Sequence, residues 1–474
     1  MIDRRQFYID GAWVEPSARS DFPVIDPSTE EEVAVITLGA EADAEAAINA
    51  ARRAFPGWAA TPPAERRAAI ERLAKVYERR AGEMAEAIRL EMGAPTDLAR
   101  TAQVGAGASH MQGFLKALDD FSFERPYAPG EVHLMEPVGV CALITPWNWP
   151  MNQIVLKVVP ALATGNAVIL KPSEIAPLSG SLFAEFVHEA GFPKGVFNMV
   201  HGDGAGVGSI LSSHPHVDMV SFTGSTRAGR LIIRAAAETI KRVTLELGGK
   251  GANIVFADAR ANAVTQGARG CFNNTGQSCN APTRMLVERP IYERAVEEAA
   301  AAATATAVGP SSEGGRHIGP VVSKAQWDKI QALIETGTRE GARLVAGGPG
   351  LPEGVNRGYY VRPTVFADVD PDMTIAREEI FGPVLSMIPF EGEEEAIAIA
   401  NDTPYGLTNY VQTEDREKRR RVARRLRSGM VVTNGKSLAQ GSPFGGMKQS
   451  GNGREGGLHG LMDFCEVKAV SGWD

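Results

Sequence analysis

Cysteine is scarce in this sequence: four residues in 474, at Cys141, Cys271, Cys279 and Cys465, with no CxxC spacing among them. That excludes a disulfide framework and a thiolate zinc site, and it fits free thiols in a reducing compartment, so a cytoplasmic protein is expected. Histidine is equally thin, eight residues without an HExxH or HxxH pair. Only His214 and His216 lie close, and Pro215 between them marks a turn, so no metal is predicted. Basic residues do not outnumber acidic ones: the formal charge is −8, which argues against a nucleic-acid or anionic-membrane partner. The one dense basic run, 416–427, has Val422 and Leu426 along one edge and reads as a helix with a solvated face. Long apolar runs are missing too. The stretch 138–170 has a single charge, Lys157, but Pro146, Asn148, Pro150, Asn152, Pro160, Gly165 and Asn166 interrupt it. It reads as strand, loop, helix and strand in a buried core, not as a membrane span. The first residues also lack the apolar centre of a signal peptide.

What is present is an ordinary globular composition, 44% hydrophobic and 22% charged, in a chain too long for one core. Alanine-rich segments over 43–55, 63–79, 83–92 and 98–118 have helical spacing. From residue 138 short β-rich runs (138–145, 167–171, 196–200, 218–223, 242–245) alternate with helical ones (151–163, 177–190, 205–212, 227–237). A second series puts strands at 252–256, 284–288, 364–367 and 384–390, with helices at 262–272, 292–305, 324–340 and 393–400. Such alternation predicts right-handed βαβ units and parallel sheets covered on both faces. The end, 463–470, alternates like an edge strand.

Two groups carry chemistry. Cys279 lies in Gly-Gln-Ser-Cys-Asn-Ala-Pro-Thr-Arg (276–284), and Glu246 in Leu-Glu-Leu-Gly-Gly-Lys (245–250). A thiol can add to an electrophilic carbon, and a carboxylate can activate the water that later breaks the adduct. The glycine-dense stretch 202–208 fails the GxGxxG spacing and fits a helix-entry turn equally well. A better phosphate site is Gly224-Ser225-Thr226, which follows an apolar strand and opens a helix whose free N–H groups would face an anion. Lys171 and Glu174 leave the end of a strand, where ligands of open α/β sheets bind.

Seven segments occur in one order: Thr-Pro-Trp-Asn-Trp-Pro (145–150), Lys-Pro-Ser-Glu (171–174), Phe-Thr-Gly-Ser-Thr (222–226), Glu-Leu-Gly-Gly (246–249), Gly-Gln-Ser-Cys (276–279), Glu-Ile-Phe-Gly-Pro (379–383) and Pro-Phe-Gly-Gly (443–446). With them the chain, from about residue 7 to 468, resembles the NAD(P)-dependent aldehyde dehydrogenase superfamily. The resemblance implies two open-sheet α/β domains, a cofactor domain (1–117 and 139–246) and a catalytic domain (247–449). It adds a small β oligomerisation arm (118–138 and 450–474) and a homodimer or homotetramer. The cofactor implied is NAD, with NADP as the alternative. Lys171 and Glu174 would bond the adenosine ribose, and Glu379 the nicotinamide ribose with Phe381 beside the ring. Ile144, Thr145, Pro146 and Trp147 would line the groove, and Ser173, Gly204, Gly208, Phe222, Thr223, Gly224, Ser225 and Leu247 complete the cofactor set.

The same resemblance implies that Cys279 adds to an aldehyde, with Asn148 and the Cys279 N–H receiving the oxyanion and Glu246 activating water against the thioester. Lys157 is placed with these catalytic residues. Asn148 reads otherwise as a loop amide capping the next helix. Without a cofactor, the same Cys and Glu would make a cysteine esterase or thioesterase. Trp149, Asn152, Gln153, Ser278, Asn280 and Phe444 would wall the substrate tunnel. Asn152, Gln153, Ser278 and Asn280 are small or polar, which points to aldehydes bearing a hydroxyl, amide, carboxylate or polar ring; packing within helices is the other use of these side chains.

Overall fold

The alternating runs fold into two open sheets. In the computed structural model, which describes residues 1–473, the first sheet has eight strands. Its parallel centre runs Arg242–Glu246, Met219–Thr223, Val140–Ile144, Ala167–Lys171, Phe197–Met199 in space. Alternation along these strands feeds two separate cores. Cys141, Leu143, Val168 and Leu170 pack into one, and Val140, Ala142, Ile144, Ala167 and Ile169 into the other. Strands buried on both faces need apolar residues at every position, hence runs such as Ala-Val-Ile-Leu. Chain order reverses between Val140–Ile144 and its neighbour Met219–Thr223. The loops leaving the carboxyl ends of these two strands therefore diverge and open a crevice, the place where such sheets bind ligands. Residues 145–149 and 224–225 are those loops.

Helix Pro150–Thr164 follows immediately. Proline at its first position suits a turn whose N–H groups are unpaired anyway. Every residue of this helix except Asn152 is buried, and Gly165 ends it in left-handed conformation (φ 99°). The second sheet has seven strands, in the order Arg343–Ala346, Thr364–Ala367, Val384–Phe390, Arg284–Glu288, Ala252–Val255, Thr408–Gln412, Met430–Thr433, all pairs parallel except the first. Its strands likewise alternate between two cores. The basic helix, Arg416–Arg425, buries Val422, with Leu426 just beyond it also buried. Its charges face the acidic first turn of Gly392–Asn401: Arg421 pairs with Glu393 at 2.7 Å, and Arg425 with Glu394.

The arm is a three-stranded antiparallel sheet of Glu124–Ala128, Glu131–Pro137 and Cys465–Ser471. It is narrower than the expected 118–138 and 450–474. Helix Val104–Asp120 continues to residue 120. Gly451–Asn452 pairs with Arg242–Glu246 at the edge of the first sheet, and helix Gly457–Asp463 packs on Val104–Asp120. The terminal residue, Asp474, lies outside the described residues. The N-terminal residues, where no element was expected, add further strands. Ile2–Arg4, Asp21–Asp26 and Glu31–Thr37 form a separate three-stranded sheet, and the hairpin Phe7–Ile9 with Ala12–Val14 completes the first. These strands are mostly three residues long, too short for alternation to distinguish them from loop.

Candidate active site

Cys279 follows helix Ala263–Phe272 through a turn that the backbone disfavours. Asn274, Thr275 and Gly276 all have positive φ (50°, 57° and 73°). Left-handed conformation is costly for threonine above all. At Gly276 a Cβ would stand 2.1 Å from the Gly382 carbonyl oxygen, so no other residue fits. Buried amides hold the turn. Gln103 Nε2 donates to the Asn148 carbonyl (3.1 Å) and to Asn274 Oδ1 (3.2 Å). Asn274 Nδ2 donates to the Asn148 carbonyl at 3.0 Å, and Gln277 Oε1 accepts from the Val322 N–H at 2.9 Å. Asn148 Nδ2 donates one hydrogen to the Gln277 carbonyl at 2.9 Å, which leaves its second N–H free. Thus Asn148 serves the nucleophile turn and caps no helix: the cap of Pro150–Thr164 has no side-chain bond.

Two cavities meet at Cys279. The smaller, about 160 Å³, opens at the carboxyl end of the first sheet. Pro146, Trp147, Asn148, Thr223, Gly224, Ser225, Glu246, Leu247, Glu379 and Phe381 line it. Glu379 Oε1 accepts the Gly249 N–H at 2.8 Å, and a Cβ on Gly248 would come within 2.5 Å of Oε2. Trp147 and Phe381 meet edge to face, centroids 5.4 Å apart. Ser225 caps helix Thr226–Ala236, its Oγ accepting the Ala228 N–H at 3.2 Å. A carboxylate for a ribose diol, a helix N-terminus for a pyrophosphate and a glycine that admits both backbone and ligand suit a dinucleotide.

The remaining cofactor residues lie further out or behind. Ile144, Thr145 and Phe222 are buried at the strand ends. Lys171 is buried, its Nζ donating to the Pro172 and Gly202 carbonyls (3.0 and 2.5 Å) and approaching Glu174 Oε2 at 3.4 Å. Burial lowers its pKa and the Glu174 charge opposes that. Ser173 Oγ accepts the Ile175 N–H. Gly208 is buried in a short helix and Gly204 is exposed before it; neither lines the smaller cavity.

Glu246 is buried and neither carboxylate oxygen has a hydrogen-bond partner among the described residues. Burial pushes its pKa well up, the like charge of Glu455 adds to this, and Lys157 opposes it. Lys157 itself is an ion-pair partner of Glu455, both nearly shut off from solvent. It lines neither cavity, and its charge lowers the pKa of Glu246. Glu455 went unrecognised in the sequence, where it stands in a polar stretch with no motif of its own. Burial pushes the Cys279 thiol up, and Glu379, Glu246 and Glu455 push it further.

The larger cavity, about 530 Å³, lies on the side of the second sheet. Trp149, Asn152, Gln153, Ser278, Asn280 and Phe444, proposed as tunnel walls, all line it together with Cys279. The sequence offered no sign of its far wall, which includes Asn253, Tyr410 and Gln412 from strands of the second sheet.

Comparison with known proteins agrees with this geometry. A curated relative, 3-succinoylsemialdehyde-pyridine dehydrogenase of a Pseudomonas species, is 50% identical over the whole of both chains. An aldehyde dehydrogenase of Bartonella henselae superposes with TM-score 0.99 at 58% identity, covering 99% of this chain and 100% of that one. Aldehyde dehydrogenase C of Pseudomonas syringae, solved as a cysteine-to-alanine mutant with NAD⁺ and octanal, gives TM-score 0.98 at 49% identity, covering 99% and 97%. Residues 13–470 match the aldehyde dehydrogenase family as a whole. A match of that extent, over a fold and a cysteine site of this form, means that the chain belongs to the aldehyde dehydrogenase family.

Proposed function

We propose that this protein oxidises an aldehyde to its carboxylic acid with NAD⁺, using Cys279 as nucleophile and Glu246 as base. The observation that carries the reading is the position of Cys279 in the wall shared by a groove lined by Ser225, Glu379 and Phe381, groups that suit a dinucleotide, and a substrate-sized chamber. A plain thiol hydrolase would have no use for the first. Cys279 adds to the carbonyl carbon as the thiolate, forming the carbon–sulfur bond. The oxygen becomes an oxyanion, received by the free N–H of Asn148 and the backbone N–H of Cys279. Bound NAD⁺ supplies the acceptor for the hydride that this carbon must lose, which leaves a thioester on Cys279. Glu246 removes a proton from water, the water oxygen attacks the thioester carbon, and the carbon–sulfur bond breaks to release the acid. The raised pKa of Glu246 makes it a stronger base once ionised.

A cofactor domain of residues 1–117 with 139–246 and a catalytic domain of 247–449 are supported by the two open sheets, the first of which also takes in Gly451–Asn452. Self-association as a homodimer or homotetramer is supported by open sheet edges and exposed apolar groups. Met430–Thr433 and Cys465–Ser471 are both edge strands, and Tyr127, Val467 and Ile240 are 69%, 61% and 91% exposed. A cytoplasmic location is supported by four free cysteines.

NADH absorbance with purified protein and an aldehyde panel tests the reaction. Cys279→Ala should lower turnover by roughly a thousandfold or more; near-normal activity would reject the nucleophile. Glu174 beside the ribose position should favour NAD⁺ over NADP⁺, because its charge repels a 2′-phosphate. Replacing it in Glu174→Ser should shift the NADP⁺ to NAD⁺ ratio of kcat/KM upward by about tenfold, equivalent to about 1.4 kcal/mol. Equal ratios in both proteins would reject that role.

Glu455→Gln removes a like charge and frees Lys157 to face Glu246. The Glu246 pKa should fall, so the acid limb of the kcat–pH profile should move to lower pH. An unmoved limb, or one moved to higher pH, would show that the two carboxylates are not coupled.

A further inference from the structure

The walls of the larger cavity mix apolar and polar groups but carry no charge: their described lining contains no Lys, Arg, His, Asp or Glu. A substrate with a carboxylate tail would find no cation there. It would also enter a field already made negative by Glu379, Glu246 and Glu455, the charges that oppose ionisation of Cys279. A cationic tail would find no carboxylate in the wall, and although Gln412 keeps a free acceptor, its Nε2 being spent on Asn253 Oδ1, the polar side chains beside Cys279 keep free donors. Asn152 Oδ1 accepts from His110 Nε2 at 2.7 Å, and burial holds that imidazole neutral. The Asn152 NH₂ is left for the chamber. Gln153 is only 3% exposed, with its Oε1 buried and unpartnered, so its NH₂ is the accessible end. Ser278 Oγ accepts from Trp149 Nε1 at 2.8 Å and keeps its own O–H to donate. Donors left unpaired in a desolvated chamber cost free energy that an acceptor on the substrate would remove.

Shape narrows the class further. Trp149, Tyr410 and Phe444 present aromatic rings to the same space, two of them tied down: Trp149 by Ser278, and Tyr410 by its hydroxyl, which donates to the Asn280 carbonyl at 2.6 Å. About 530 Å³ falls within the range of sites that enclose a whole organic ligand. We infer that the preferred substrate is an uncharged aldehyde whose tail holds a flat ring and a hydrogen-bond acceptor, such as a ketone, amide or ring nitrogen. The inference rests on the reading of Cys279 as the nucleophile facing this chamber.

The test uses the purified full chain, NAD⁺ and four 3-arylpropanals that differ only at the para position: hydrogen, acetyl, carboxylate and trimethylammonio. The acetyl compound should exceed the parent in kcat/KM by about threefold or more, the worth of one net hydrogen bond. Both charged compounds should fall at least about tenfold below it. In Asn152→Leu the acetyl-to-parent ratio should drop toward one. An acetyl compound no better than the parent, a charged compound at the top of the series, or an unchanged ratio in the variant would overturn the inference. Oxidation of none of the four would overturn the reaction itself, and the inference with it.

Discussion

Three consecutive left-handed residues before Cys279 have to be held against their own backbone preference, and a set of buried side-chain amides does the holding. Gln103 reaches from the π-helical turn Ala99–Gln103 of the first domain to the Asn148 carbonyl and to Asn274. Asn274 then bonds back to Asn148, and Gln277 ties the far end to Val322. Each of these groups is buried, so removing one leaves its partners unsatisfied and costs more than the bond alone. The consequence is functional. The same network that fixes the sulfur-bearing turn also fixes the Asn148 amide, so nucleophile and oxyanion donor are positioned together by one constraint.

Electrostatics completes the arrangement. Glu379, Glu246 and Glu455 surround Cys279, and all three oppose its ionisation. A thiol in that field is a poor nucleophile until positive charge arrives. Two buried lysines lie at this cluster, Lys157, already paired with Glu455, and Lys250 near Glu379, whose charged form burial disfavours. Substrate chemistry and cofactor binding are therefore linked through charge: the groove that suits a dinucleotide opens on the same sulfur that needs its field altered. The uncharged wall of the chamber beyond belongs to the same logic, since a further anion there would depress the thiolate again.

Local sequence made much of this legible. Helix Pro63–Arg79 and strands Ala167–Lys171, Arg284–Glu288 and Val384–Phe390 appear at the expected positions, because their buried faces repeat at helical or strand period within one segment. Cys279 and Glu246 stood out because each sits within three residues of glycine, at 276 and at 248–249, and Glu379 through the family segment 379–383. Gln103 and Glu455 did not, since each matters only through partners more than forty residues away. Residues 450–464 were assigned to the arm for the same reason. Their place beside Arg242–Glu246 is set by a long-range antiparallel pairing that no local pattern encodes.

The central claim is that Cys279 carries the acyl group and Glu246 governs its release. Mass spectrometry of Glu246→Gln, quenched during reaction with aldehyde and NAD⁺, tests it most directly. An amide keeps the size of the group but removes the base. The account predicts a burst of about one NADH per subunit, slow turnover thereafter, and an acyl adduct on Cys279. Steady-state turnover equal to wild type, or an adduct on Cys141, Cys271 or Cys465 instead, would contradict it.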